Sequence, residues 1–413
     1  MTISKANMFE ATRLTREGRL AEAMAILRGA LSAAAESANP YDSNLLEADA
    51  RRSTFVDMEF PFQRTGGARI PRPGNDAFTA YGDLKRPSLK GLGVVLDRMP
   101  DLGAAIGVEG LLGRRMPPAI RLPPGATFDK CSFANQAGSR TYKLYVPSKY
   151  RGEPLPLLIM LHGCTQSPDD FATGTRMNEV AEEQTFLVAY PAQSQSANPS
   201  KCWNWFDAGE QRRDHGEPSL IAGITRQIIR DFPIETGRVY VAGLSAGGAA
   251  AAIMGATYPD LYAAIGVHSG LPCGAALDMP SAFAAMRQGG KPRAAKSRRL
   301  DQDMVPMIVF HGDSDKTVNP INGEQIIAQA QAEMTLSKAT RRGRVPGGIA
   351  YTCTIQTDDT GRPLLEHWVL HGAGHAWSGG SASGSYTEPR GPDASREMVR
   401  FFLQQSAHRG LDQ

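Results

Sequence analysis

Beyond Pro124 the chain alternates between short runs of β-branched, leucine and aromatic residues and longer stretches whose apolar side chains return every three or four positions. The first kind predicts strands over 141–146, 155–161, 186–190, 239–242, 264–268, 307–310 and 367–370. The second predicts helices over 171–183, 218–230, 248–257 and 323–336, with a last helix over 393–404 closing the domain. Strand and helix in succession specify an α/β architecture. The expected form is a mainly parallel sheet with helices on both faces, in which loops beyond the strand C-terminal ends carry the chemistry. This domain is expected to span 126–408.

Upstream the pattern changes. Met8, Phe9, Leu14, Leu20, Ala23, Met24, Leu27 and Leu31 keep helical spacing on either side of Gly18, so 1–35 reads as a helical hairpin resembling one tetratricopeptide-like unit. One such unit cannot bury its apolar face alone. It is expected to dock on the main domain, on a second copy in a homo-oligomer, or on another partner. Residues 36–125 shift to Pro, Gly, Arg and polar residues and read as an irregular, partly disordered linker. Within it, Leu96, Met99, Leu102, Ile106, Val108, Leu111 and Leu112 form an apolar scatter expected to pack locally, the other reading being contact with a lipid-like or polyester surface.

Composition narrows the field. In 413 residues, 45 Lys and Arg against 42 Asp and Glu leave a formal charge of only +3, which does not argue for nucleic acid or a strongly charged substrate. Residues 1–8 hold no apolar signal-like core, and no apolar run is long enough to span a membrane, so the reading is cytoplasmic, with export by a route lacking a cleaved signal left open. Cys131, Cys164, Cys202, Cys273 and Cys353 are scattered and contain no C-x-x-C pair. Reduced, partly buried thiols are expected; export would favour a bridge between Cys164 and Cys202.

Candidate chemistry centres on Gly243, Leu244, Ser245, Ala246 and Gly247, a G-x-S-x-G turn between a predicted strand and a small-residue helical stretch. A serine hydroxyl needs a base, and the base needs an acid to fix its tautomer. Asp313 and Asp315 follow one predicted strand and His375 follows another in a glycine-rich loop, giving the chain order serine, acid, histidine. His162, Gly163 and Cys164 end a further strand. There the Cys164 amide, with the Ala246 amide at the helix start, is expected to hold an oxyanion. Serine is the expected nucleophile, since the elbow belongs to Ser245 and Cys164 has none.

The segments Leu161 to Gln166, Thr175 to Asn178, Cys202 to Phe206, Gly243 to Gly248 and Gly374 to Gly380 closely resemble the esterase family of polyhydroxybutyrate depolymerases. The resemblance runs over about 130–403 and implies an α/β-hydrolase fold and carboxylic ester hydrolysis. It places Ser245, Asp315 and His375 at the triad positions. Asp315 fits the H-G-x-x-D-x-x-V pattern of that fold's relatives, which leaves Asp313 to brace the turn. Relatives of the fold also include feruloyl and acetylxylan esterases, so the resemblance fixes the reaction better than the substrate. Poly(3-hydroxybutyrate) or its oligomers come first, and small aryl or acyl esters second.

No metal or organic cofactor is expected. The four-residue spacing of His367, His371 and His375 does not gather three ligands on one face where a strand runs into a turn. His162 is expected to brace its loop, and His268, His311 and His371 to be satisfied core or loop groups. Trp203, Trp205 and Trp377 offer apolar faces for a substrate groove or, equally, for packing beneath the loops. The basic stretch 287–299 reads as a solvated insertion. The reading from another class is a scaffold that binds polymer granules through its N-terminal parts, with a vestigial hydrolase domain.

Overall fold

The computed structural model describes residues 121–290, 304–331 and 335–405. The expected hairpin, nearly all of the expected linker with its apolar scatter, and most of the basic stretch lie outside the described residues. The strands are β1 (Thr127–Asn135), β2 (Gly138–Val146), β3 (Leu155–Leu161), β4 (Leu187–Pro191), β5 (Ile234–Leu244), β6 (Ala264–His268), β7 (Met307–Gly312), β8 (Ser337–Arg344), β9 (Ala350–Thr357) and β10 (Pro363–Leu370), with a two-residue pair, β11 (Trp377–Ser378) and β12 (Thr387–Glu388). The helices are α1 (Pro168–Thr175), α2 (Met177–Gln184), α3 (Gly216–Asp231), α4 (Ala246–Thr257), α5 (Met279–Gln288), α6 (Ile321–Gln331) and α7 (Ala394–Leu403).

The main sheet has ten strands in the order β1-β2-β4-β3-β5-β6-β7-β10-β9-β8. From β4 through β3, β5, β6 and β7 to β10 every pairing is parallel, and antiparallel strands close both edges. The parallel strands read as unbroken apolar runs because both faces are covered. Their side chains alternate between two cores. Leu157, Ile159, Leu161, Val239, Val241 and Val309 face one core with Ile221, Ile224 and Met254 from α3 and α4. Leu158, Met160, Tyr240, Ala242, Ile308 and Phe310 face the other with Phe171, Val180, Met398 and Phe402 from α1, α2 and α7.

The structure divides the helix expected over 171–183. Arg176 adopts a left-handed conformation (φ 56°, ψ 22°) that caps α1 and starts α2. It also adds α5, which Asp278 and Ser281 start with reciprocal capping bonds. The antiparallel strands β1, β8 and β9 are additional too. β8 exposes nearly its whole length, with Lys338, Arg341, Arg342 and Arg344 along it, a charge pattern that discourages pairing with another sheet edge. Among the described residues no helix is long and apolar enough to cross a membrane.

Candidate active site

β5 ends at Leu244 and α4 starts at Ala246, so Ser245 makes the turn alone, at φ 57° and ψ −118°. A non-glycine residue holds such a conformation only where its surroundings impose it. Here the Ser245 amide donates to His268 O at 2.9 Å, next door on β6. A Cβ on Gly243 would stand 2.7 Å from Leu161 O, and one on Gly247 would run into Leu161 O and His162 O. Both glycines are therefore dictated by the close crossing of the elbow over the end of β3. α4, built almost wholly of Gly and Ala, can sit tight against β5 and points its N-terminus at the same place.

β7 and β10 pair in parallel, so the loops that follow them meet. His375 Nδ1 donates to Asp315 Oδ2 at 2.7 Å, while Asp315 Oδ1 accepts the Thr317 and Val318 amides at 2.9 Å each. Burial would raise the Asp315 pKa, but hydrogen bonds from His311 and His375 and the Val318 amide outweigh it and hold the group well below the usual carboxylate range. Asp313 has a histidine of its own. Its Oδ2 lies 2.9 Å from His371 Nδ1, and its Oδ1 accepts the Gly372 amide at 2.7 Å. The two aspartates thus join the same pair of loops, and only Asp315 reaches His375. Ser245 Oγ and His375 Nε2 make no hydrogen bond to any described residue, an open arrangement common before substrate arrives.

On the other side of the serine, a Cβ on Gly163 would stand 3.7 Å from Ser245 Cβ, which places the 162–165 loop against the elbow. That loop is held from two directions. Cys164 is bridged to Cys202, the Thr165 amide donates to Ser200 O at 2.7 Å, and Trp203 Nε1 donates to His162 O at 3.1 Å. Opposite, Gln166 Oε1 accepts the Gly163 amide at 2.9 Å, and its Nε2 donates to Ser385 O at 3.1 Å. The Cys164 and Ala246 amides donate to no described residue, which leaves two N–H groups free beside Ser245.

His162 is part of this bracing. Its Nε2 accepts the Gln193 amide at 3.0 Å, which puts the ring proton on Nδ1, where it donates to Gly163 O at 2.8 Å. Burial pushes its pKa down to about 4, so the ring stays neutral. Burial likewise takes His268 to about 3; its Nε2 accepts the Ser378 amide, and its ring stacks between Phe310 and Trp377. Cys164 and Cys202 are bridged rather than reduced, and Cys131, Cys273 and Cys353 are free thiols.

The groove reading of the tryptophans is corrected. Trp203, Trp205 and Trp377 are 0%, 7% and 1% exposed, so none presents a face to a substrate. Trp203 and Trp377 spend their indole N–H groups on His162 O and Ser395 Oγ. Among the described residues no three His, Cys, Asp or Glu side chains gather as a metal site. The structure also supplies supports that residue-by-residue reading misses. Gln166 was visible only as part of a motif. Glu217, buried at the start of α3, accepts from the Asn204 amide and side chain at 2.8 Å each and from Gln193. Burial raises its pKa.

Strand order, elbow and strand-end loops together define an α/β-hydrolase fold. An acetyl xylan esterase from Aspergillus awamori superposes with a TM-score of 0.53 over 67% of this chain and 99% of that one, at 19% identity. The family model described as esterase PHB depolymerase matches residues 140–347, just over half of the 413. The chain belongs to that family. It is 32% identical over 255 residues to poly(3-hydroxyalkanoate) depolymerase C of Paucimonas lemoignei, covering 59% of this chain and 60% of that protein. It is also 32% identical over 283 residues to feruloyl esterase B of Neurospora crassa, covering 65% of this chain and 89% of that protein. A probable acetylxylan esterase A of Aspergillus clavatus matches at 28% over 44% of this chain and 62% of its own length. The chain thus spans less than two thirds of the Paucimonas and Aspergillus clavatus relatives.

Proposed function

We propose that the protein is a serine hydrolase of carboxylic esters, acting first on poly(3-hydroxybutyrate) or its oligomers. The observation that carries this is the 2.7 Å His375–Asp315 hydrogen bond on loops that follow parallel strands, with Ser245 raised in an elbow on the same sheet. In this reading His375 Nε2 takes the Ser245 Oγ proton as the oxygen attacks the ester carbonyl, and Asp315 holds the ring in the Nδ1–H tautomer and stabilises its charge. The Cys164 and Ala246 amides receive the oxyanion, each such donor contributing about 3 kcal/mol to the transition state. The tetrahedral intermediate collapses as His375 returns the proton to the departing alcohol. Water, deprotonated by the same histidine, then releases the acid and regenerates Ser245.

Turnover of p-nitrophenyl butyrate by wild type and Ser245→Ala tests the reaction. Wild-type hydrolysis abolished in the variant is expected, and equal turnover would refute the assignment. Family membership supports the polyester, whereas the feruloyl and acetylxylan relatives favour a second reading, small aryl or acyl esters. Amorphous polyhydroxybutyrate, hydroxybutyrate oligomers and feruloyl esters assayed side by side separate the two. A preference for the feruloyl ester would reverse the ranking. The Cys164–Cys202 bridge favours an oxidising setting for the working site, in tension with the cytoplasmic reading.

A further inference from the structure

His311, at the end of β7, is buried and stands outside the mechanism given above. Its Nε2 lies 2.9 Å from Val318 O, and since a carbonyl only accepts, Nε2 carries the proton. The same N–H faces Asp315 Oδ2 at 3.5 Å as a weaker second arm, and that is the oxygen which receives His375. Asp315 is therefore enclosed by the Thr317 and Val318 amides on one oxygen and by two imidazoles on the other.

Behind His311 two ring nitrogens remain. His311 Nδ1 and His367 Nε2 are buried, and neither has a hydrogen-bond partner among the described residues. Both converge on α6: a Cβ on Gly323 would meet His311 Nδ1 at 3.0 Å and His367 Nε2 at 3.3 Å. The two nitrogens reach the same glycine of α6 without forming a hydrogen bond to each other, so it is the Val318 carbonyl that fixes the His311 proton on Nε2. The other charged or titratable groups that face this cluster are His268, which acts on Asp315, His375 and His311, and Lys338, which acts on His367.

We propose that His311 is a positioning residue for the Asp315–His375 pair, its proton fixed on Nε2 by the Val318 carbonyl, and that its N–H draws charge from the aspartate oxygen that faces His375. The inference rests on the serine-hydrolase reading. Removing the donor leaves more negative charge on Asp315 Oδ2, which favours the protonated form of His375. The acid limb of the rate profile then moves to higher pH.

The test measures kcat and KM for p-nitrophenyl butyrate from pH 5 to 9 with wild type, His311→Leu and His311→Gln, folding being checked by thermal unfolding. His311→Leu is expected to lower kcat about tenfold or more with little change in KM, and to raise the acid limb by about half a pH unit. His311→Gln, which retains an N–H, should return the limb to its wild-type position. A folded His311→Leu chain whose limb and kcat match wild type, or one that loses only thermal stability, overturns the proposal. If the leucine chain does not fold, nitrogen-15 NMR of wild type decides. An N–H at His311 Nε2 through this range supports the proposal, and an Nε2 without its proton refutes it. A wild type inactive on every ester, or an active Ser245→Ala chain, would instead point to failure of the hydrolase reading.

Discussion

Asp313 and Asp315 lie two residues apart yet hold different histidines, so their substitutions should part company. Asp315→Asn keeps the shape but not the charge, and should lower kcat about ten-thousand-fold by releasing the His375 tautomer. Asp313→Asn, which disturbs the half-exposed His371 contact, is expected to cost about tenfold or less. Steady-state kinetics of the two variants check this, and the reverse ranking would exchange their roles. Trp203 offers a second residue-scale test. Trp203→Phe removes the donor to His162 O and is expected to cost about 1–3 kcal/mol in urea unfolding and to lower kcat, with KM nearly unchanged. A large rise in KM with normal stability would return this side chain to the substrate groove.

At the scale of elements, the elbow leaves no freedom. Gly247→Ala should abolish activity or soluble expression, because its methyl group would enter the backbone of β3; an active, stable variant would contradict the crossing described above. The Cys164–Cys202 bridge closes a segment with a sequence separation of 38, for which chain entropy suggests about 4 kcal/mol of stabilisation. Reduction by dithiothreitol, or paired Cys164→Ser and Cys202→Ser changes, should lower both the unfolding temperature and kcat by loosening the loop beside Ser245. Reduced protein with full activity would show that Trp203, Thr165 and Gln166 suffice. β3 and β6 are legible in the sequence to the residue, because strands buried on both faces write unbroken apolar runs. β1 and β8 are not, since their mostly exposed or half-exposed positions carry no such signal. The break at Arg176 is equally silent, because nothing about an arginine announces a left-handed turn. Ser245, Cys164 and the Asp315–His375 contact are legible because each sits in a glycine-marked loop at a strand end. Glu217 and Ser385 act through neighbours distant in sequence, and only the folded chain brings them to the site.

At the scale of the molecule, His162, His268 and His367 couple folding to acidity among the described residues. His162 and His367 are driven to about 4 and His268 to about 3, chiefly by burial, against an unfolded value of about 6.5. Between these limits the unfolded chain binds protons that the folded chain does not, so stability falls as pH drops below about 6.5 and continues to fall toward 4. Each proton contributes about 1.4 kcal/mol per pH unit, and Glu217, whose pKa is raised by burial, offsets part of the slope. Asp315, with its depressed pKa, protects the fold above the unfolded carboxylate range and yields only in stronger acid. Urea titrations from pH 7.5 to 4.5 should show this decline, and a flat profile would contradict neutral burial of the three rings.

The tight seat of α4 sets a limit on how the protein can change. Its residues from Ala246 to Gly255 are all buried, and even a methyl group at Gly247, Gly248 or Gly255 would meet backbone or a packed isoleucine. Selection or engineering for a new ester therefore has little room beneath the serine. Variation that keeps the fold intact must come from the walls, above all from 379–391, where Ser385 and Tyr386 already touch the 162–166 loop from outside the sheet.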